Sequence, residues 1–228
     1  MWRGQDRKLL FHADRNGIFY VLDRTNGKFL SGTPFVYQNW NTGFDENGPP
    51  IQVSGSNSGP EGSFFVYPSI GGATNFLAPS YSPMTGWFYL AYSESGQQYV
   101  SAPAAYEAGR QYIGRGRTAA PAAPRPAEPQ PSAGIKALDP ETGRTMWDFK
   151  LPQSSLQNGV MGTAGGVLFA ASRDGNLFAL DAQTGSSLWR YHTGANMRAS
   201  PMALHKKYIA GAHRAPLQLR TPSCRGGL

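Results

Sequence analysis

The 228-residue sequence predicts an all-β fold, a partial β-propeller built from antiparallel blades. Three observations carry that expectation. The first is a repeat. Ile135–Phe149 reads IKALDPETGRTMWDF and Leu177–Tyr191 reads LFALDAQTGSSLWRY, so Asp139 and Asp181, Gly143 and Gly185, and Trp147 and Trp189 all stand 42 residues apart. That spacing falls in the range of roughly 40–45 residues for a four-stranded blade. A weaker third copy, Phe19–Leu30 (FYVLDRTNGKFL), places Phe29 or Leu30 near the tryptophan position. The second observation is turn chemistry: short apolar runs are separated by Asp-Gly and Asn-Gly turns, which accept the positive φ of a tight hairpin. The third is composition. Hydrophobic residues make up 40% of the chain, there are 28 glycines, and helical periodicity is scarce.

The elements follow in order. Lys8–His12 is an apolar strand, and Asp14-Arg15-Asn16-Gly17 turns the chain into a second strand, Ile18–Leu22. Residues 31–62 are rich in Gly, Pro and Asn and read as one long loop around Trp40. Residues 63–70 and 86–92 read as strands, with Gly71–Pro83 irregular between them. Residues 101–133 form a Pro/Ala-rich inserted linker, because proline cannot donate to a sheet ladder. Residues 134–202 hold the clearest repeat: Val167–Ala171, Leu177–Leu180 and Ser187–Tyr191 are strands joined by the turns Arg173–Asn176 and Asp181–Gly185. The division expected is a propeller body over 1–202 and a basic, disordered tail over 203–228.

Within the repeat each residue has a structural task. The aspartate bonds backbone N–H groups of its own turn. The glycine adopts the left-handed conformation, and the tryptophan fills the gap between neighbouring blades while its indole N–H finds a carbonyl.

Charge and motifs exclude several function classes. The net charge of +7 lies in the tail: residues 182–228 carry seven Lys/Arg and no acid, leaving residues 1–181 neutral. A nucleic-acid-binding face is therefore not expected on the body. No apolar run approaches about 18 residues, so no membrane-spanning helix is encoded. MWRGQDRKLLFHADRNG has no apolar core of a secretory signal. Cys224 is the lone cysteine and has no intrachain disulfide partner. His12, His192, His205 and His213 lack metal-ligand spacing. Asp45-Glu46 lies in a polar loop and reads as solvated, and no nucleophile elbow or phosphate-cradling loop is present.

The repeat Ala-x-Asp-x-x-x-Gly-x-x-x-Trp resembles the tryptophan-docking motif of pyrroloquinoline-quinone (PQQ) dependent alcohol dehydrogenases of the methanol/ethanol type. Leu9–Leu30, Gly71–Tyr89 and Gly159–Phe169 resemble segments of the same family. The resemblance implies about four W-motif blades from the C-terminal part of an eight-bladed quinoprotein propeller. After Lys207-Tyr208-Ile209-Ala210 the family pattern stops, and a frameshift near Ala210 would account for that and for the acid-free tail.

The resemblance also implies cofactor-binding residues. Arg15 matches a cation that bonds the quinone oxygens of PQQ. A fixed guanidinium there stabilises charge developing on oxygen during hydride transfer; read alone, Arg15 is a solvated turn residue. Asn75 matches an asparagine set against PQQ, and Phe76 stands where relatives carry tryptophan. Without the family, Asn75 is a loop asparagine holding its own backbone. Gly71 and Gly72 permit close backbone approach to a flat ligand. Trp40 is either a funnel-lining residue or a loop anchor. Gly159 follows Leu156-Gln157-Asn158, where many relatives carry an aromatic residue near the cofactor.

The family's Ca²⁺ or lanthanide ligands, catalytic base and adjacent-cysteine disulfide belong to earlier blades, and the resemblance places them outside this chain. It implies a small alcohol as substrate, a cytochrome c-type electron acceptor and a periplasmic location. The expected function is thus part of a PQQ-dependent alcohol dehydrogenase that is inactive alone. The alternative is a non-enzymatic β-propeller scaffold with the same repeat. An incomplete ring exposes unpaired edges, so association or aggregation is expected.

Overall fold

The computed structural model describes residues 2–56, 65–112, 129–151 and 158–203. Expectations for most of the tail, for the centre of the Pro/Ala-rich segment and for Leu156-Gln157 lie outside those residues. Three antiparallel sheets form the body. The first joins β1 (Leu9–Ala13), β2 (Ile18–Asp23) and β3 (Phe29–Pro34) in that order. A hairpin of β4 (Asn41–Phe44) and β5 (Pro50–Gln52) follows, and β6 (Phe65–Val66) pairs with β9 (Gln97–Gln98). The second sheet has the order β11-β10-β8-β7, with β7 (Ser80–Ser82), β8 (Trp87–Glu94), β10 (Ser132–Leu138) and β11 (Thr145–Leu151). The third is the meander β12 (Val160–Gly162), β13 (Val167–Ala171), β14 (Asn176–Asp181) and β15 (Ser187–His192).

The long loop expected over residues 31–62 is corrected by the β4–β5 hairpin. Its turn is made locally: Asp45 Oδ1 accepts from the Asn47 N–H at 2.7 Å, and Gly48 N–H donates to the Asp45 carbonyl at 3.1 Å. Asn41 adds a bond from its Nδ2 to the Gly43 carbonyl at 2.7 Å. Polar side chains thus specify the hairpin where an apolar alternation would ordinarily announce one. Asp45 and Glu46 are exposed, as the sequence predicts.

β8 explains how the sheets stack. Successive side chains of a strand point to opposite faces. Phe88, Leu90 and Tyr92 pack toward the first sheet with Phe19, Val21 and Leu138; Tyr89 and Ala91 pack toward the third with Leu168, Ala170 and Leu180. A strand covered on both faces reads as a continuous apolar run, which is the sequence WFYLAY. Aromatic contacts thicken the first seam, with Phe19 and Phe88 centroids 5.0 Å apart.

The three repeat turns are built alike. Gly27, Gly143 and Gly185 have φ of 76°, 74° and 73°. Each donates its N–H to the carbonyl of the aspartate four residues earlier, at 2.8, 2.7 and 2.8 Å. The aspartate side chains accept from the turn: Asp23 from Thr25, Asp139 from Glu141 N–H and Thr142 Oγ1, Asp181 from Gln183 and Thr184. Thr25 holds the Asp23 carboxyl below its ordinary pKa, and the backbone N–H and hydroxyl of Thr184 do the same for Asp181.

What docks on each turn differs. Trp147 sends its indole N–H to the Ala182 carbonyl at 3.0 Å, and its ring covers Gly185 so closely that a Cβ there would lie 2.6 Å from it. Gly143 is covered instead by Thr33, 2.3 Å from such a Cβ. The matching indole bond at that turn comes from Trp2, to the Pro140 carbonyl at 3.3 Å. Nothing lies within 4 Å of a Cβ on Gly27. The tryptophan position, near which Phe29 and Leu30 were expected, is held by Ser31, the residue after Leu30. The pairs Ala137↔Trp147 and Ala179↔Trp189 correspond in register to Val21↔Ser31, each beside the same β-bulge. Phe29 packs against Phe44, the ring centroids 5.1 Å apart and the planes tilted by 36°.

Candidate functional site

In a four-strand meander, the loop entering the innermost strand and the turn between the second and third strands share one end of the sheet. The β1–β2 turn with Arg15, the 71–79 loop entering β7 and residues 158–159 entering β12 therefore line one rim. Backbone bonds confirm the adjacency: Ala73 N–H donates to the Arg15 carbonyl at 2.9 Å, and Val160 N–H to the Ala78 carbonyl at 2.9 Å.

Arg15 is held by its turn and left open at its head. Gly17, at φ 89°, donates to the Asp14 carbonyl at 3.1 Å, and Asn16 Oδ1 accepts from the Ile18 N–H at 2.9 Å. Asn16 Nδ2 reaches the Tyr20 hydroxyl at 2.9 Å, and burial raises the pKa of that phenol. Trp40 is an anchor as well as a wall, since its indole N–H donates to the Asn16 carbonyl at 3.0 Å. The exposed Arg15 guanidinium donates to the Ile70 carbonyl. Around it lies an open cavity of about 480 Å³ lined by Arg15, Asn16, Trp40, Ser69, Ile70 and Gly72.

A buried polar network fixes the strap leading to Trp40. Phe35 N–H donates to the Gly17 carbonyl at 3.0 Å, and the Lys136 ammonium donates to the Phe35 carbonyl at 2.6 Å. Lys136 also sits 4.2 Å over the Tyr92 ring and 4.0 Å from Asp148. Burial lowers its pKa, against the opposing pull of Asp148 and Glu94. Tyr92 donates to the Asp148 carboxylate, and burial followed by that negative charge drives its pKa far upward.

The four residues singled out for cofactor binding do not share one cavity. Asn75 and Phe76 line a smaller cavity of about 220 Å³ with Phe11, His12, Pro79 and Leu90. Asn75 is engaged with its own loop: Oδ1 accepts from the Phe76 N–H at 2.9 Å, while Nδ2 lies 3.5 Å from the Gly71 carbonyl. Phe76 is 87% exposed, an apolar ring on the open rim. Gly159 is buried beneath Ala78, whose carbonyl would lie 2.8 Å from a Cβ, with Ser200 Oγ nearer still at 2.1 Å. The close approach at Gly72 is likewise internal, because a Cβ there would meet the Thr74 carbonyl at 2.6 Å and Arg15 at 2.9 Å.

Two buried polar groups escaped sequence reasoning. Asn158 is 3% exposed and its Nδ2 has no hydrogen-bond partner, a buried donor left over beside Gly159. Its neighbours gave no signal, since an asparagine before glycine reads as an ordinary turn. Lys136 was hidden because it lies in the strand IKAL as a surface lysine would. Among the described residues no group of three or more His, Cys, Asp or Glu is arranged to hold a metal. No helix there is long and apolar enough to cross a membrane.

Comparison with known proteins adds the following. Residues 131–215 match a family model described as outer membrane protein assembly factor BamB. The chain is 37% identical over 206 residues to the quinoprotein alcohol dehydrogenase PedH of Pseudomonas putida, covering 87% of this chain and 34% of that protein. It is 34% identical over 224 residues to a 1-butanol dehydrogenase (cytochrome c) of Thauera butanivorans, covering 91% and 31%. Among solved structures, a europium-containing methanol dehydrogenase superposes with a TM-score of 0.77 at 27% identity, covering 88% of this chain and 35% of that one. The quinohemoprotein alcohol dehydrogenase of Comamonas testosteroni gives 0.73 at 29% identity, covering 89% and 31%. The chain spans about a third of the length of the curated relatives it matches.

Proposed function

From a chain that is a relative of the PQQ-dependent quinoprotein alcohol dehydrogenases over about a third of their length, we infer that it supplies one wall of a PQQ site in an enzyme oxidising a small alcohol. The observation that carries this reading is the Arg15 guanidinium, fixed by its turn and open to the cavity beside Trp40. A flat, carboxylated quinone suits that chemistry, since the donor is cationic and the wall aromatic. The unpartnered Asn158 Nδ2 offers a further donor on the same rim. PQQ, when bound, supplies the electron sink for alcohol oxidation.

The roles of this chain's residues follow. Arg15 bonds oxygens of the cofactor and stabilises negative charge as it develops there. Asn75 shapes the 71–79 loop, Phe76 presents an apolar ring on the neighbouring cavity of the same rim, and Gly159 keeps the rim tight against Ala78. Metal ligands, whether for Ca²⁺ or a lanthanide, and the base that takes the alcohol proton come from other parts of the enzyme. A cytochrome c-type acceptor and a periplasmic location belong to the same reading, as does the division into a body over 1–202, an inserted 101–133 segment and a basic 203–228 tail.

Titration with PQQ, followed by tryptophan fluorescence, tests the assignment. Arg15→Ala is expected to weaken binding about tenfold, the scale of a charge-assisted hydrogen bond. Equal affinity in the two proteins would sink it, as would alcohol turnover by the 228-residue chain alone with PQQ and Ca²⁺ supplied. A second reading, a non-enzymatic scaffold, is favoured by the match of residues 131–215 to the outer-membrane assembly model. It predicts no PQQ binding at all.

A further inference from the structure

The seam between the first two sheets is apolar at one end and charged at the other. Phe88, Leu90 and Leu138 make the apolar end. On the same faces of β8 and β10, Tyr92, Glu94 and Lys136 make the charged end, and the strap of residues 35–40 crosses there. The strap is irregular backbone, so its amides need partners from outside. Lys136 is buried and donates its ammonium to the Phe35 carbonyl at 2.6 Å. Glu94 Oε1 accepts from the Tyr37 N–H at 2.6 Å, and its Oε2 accepts from Ser132 Oγ at 3.3 Å. A lysine that merely filled this seam would serve no better than a methionine, because burying its charge is costly. The carbonyl it serves gives the ammonium a reason to be there, and the Tyr92 ring and Asp148 offset the cost.

Neither Lys136 nor Glu94 lines the Arg15 cavity, but both hold chain that does. On its other side the strap lies on the turn that carries Arg15. Phe35 N–H donates to the Gly17 carbonyl, a Cβ on Gly17 would meet Val36 at 2.9 Å, and the Trp40 indole bonds the Asn16 carbonyl. Asn39 ties the strap to the segment whose Val66 and Pro68 line the cavity, donating from Nδ2 to the Phe65 carbonyl at 2.8 Å and accepting from the Tyr67 N–H at 2.9 Å. We propose that Lys136 and Glu94 are positioning residues for this cavity: gripping the Phe35 carbonyl and the Tyr37 N–H, they hold the strap on the Asn16–Gly17 turn and so set the distance between the Trp40 wall and the Arg15 guanidinium. A flat anionic quinone spans that distance, so its affinity depends on two side chains it never touches; this ligand effect rests on the cofactor site inferred for Arg15.

Solvent exchange of the Trp40 indole N–H and the Phe35 and Tyr37 amides, read by NMR on the full chain, reports the strap without any ligand. Lys136→Met keeps the stem and deletes the donor; it is expected to speed exchange at Trp40 about tenfold, the scale of one charge-assisted hydrogen bond, while β13 and β14 keep their protection. Glu94→Ala is expected to do the same. Glu94→Gln keeps an oxygen for the Tyr37 N–H and is expected to restore wild-type exchange, and this pair decides alone if Lys136→Met does not fold. Titration with PQQ is the second readout, with binding weakened about tenfold in Lys136→Met and Glu94→Ala and unchanged in Glu94→Gln. A wild-type chain that binds no PQQ would sink the cofactor reading and leave the exchange to decide the positioning role. Unchanged Trp40 exchange in both Lys136→Met and Glu94→Ala would overturn that role. So would faster exchange spread through β13 and β14, which would make the pair part of the general core, or a freed strap that leaves PQQ affinity as it was.

Discussion

Trp147 and Trp189 sit at the same register of two sheets, in sequences that align residue for residue, and their surroundings differ. On β11 the side chains of Trp147, Phe149 and Leu151 are progressively covered by the third sheet. On β15 the alternation of the sequence is the same and no burial accompanies it. Trp189 stacks instead on its own neighbour Tyr191, centroids 5.9 Å apart and planes 4° from parallel. The motif therefore encodes half of an interface. The other half is the aspartate–glycine turn of whichever sheet comes next.

Ways to break that comparison can be ranked by size. Trp147→Ala should cost about 3–4 kcal/mol, because the truncation opens a gap between sheets and strands the Ala182 carbonyl. Urea denaturation measures it, and a loss as small as that at Trp189 would refute the distinction. Next comes Gly185→Ala at about 2–3 kcal/mol, from a left-handed φ compounded by collision with the Trp147 ring. Gly27→Ala, with the same φ and no ring above it, should cost about 1 kcal/mol. Equal losses at the two glycines would mean that docking adds nothing.

The turn aspartates give a smaller, pH-dependent effect. Asp23 and Asp181 have folded pKa values below their unfolded value of 3.8, so their stabilisation is complete above that pH. It is lost as pH falls through the lower folded values. Asp181→Asn should flatten the acid limb of stability against pH, whereas an unchanged limb would show that the Thr184 bonds contribute nothing. Smallest of all, Trp189→Ala in dilute monomer should change stability by about 0.5 kcal/mol or less.

Much of the body was legible in the sequence, for physical reasons that can be named. β13, β14 and β15 fall where short β-branched and aromatic runs meet Asp-Gly turns, because there local propensity and tertiary packing agree. β4 and β5 were not legible, since Asn41 and Asp45 make that hairpin with polar bonds rather than apolar alternation. The tryptophan place of the first copy could be located only to within a residue or two, because no aromatic marks Ser31 and its register is set by the bulge between Val21 and Leu22. At the site, the turn that carries Arg15 and the segment that carries Trp40 could be read from the residues, whereas Arg15 was singled out only by the family resemblance. That Asn75 and Arg15 open on different cavities could not be read, because it depends on how the 71–79 loop folds back on itself.

The bond from Trp2 to Pro140 spans 138 residues. On a ribosome Trp2 is made well before its acceptor, which follows 138 residues later. The Trp2 end of the seam between the first two sheets must therefore wait until synthesis has passed Pro140. A bulky fusion placed directly ahead of Trp2 would crowd that late closure while leaving the third sheet free to form.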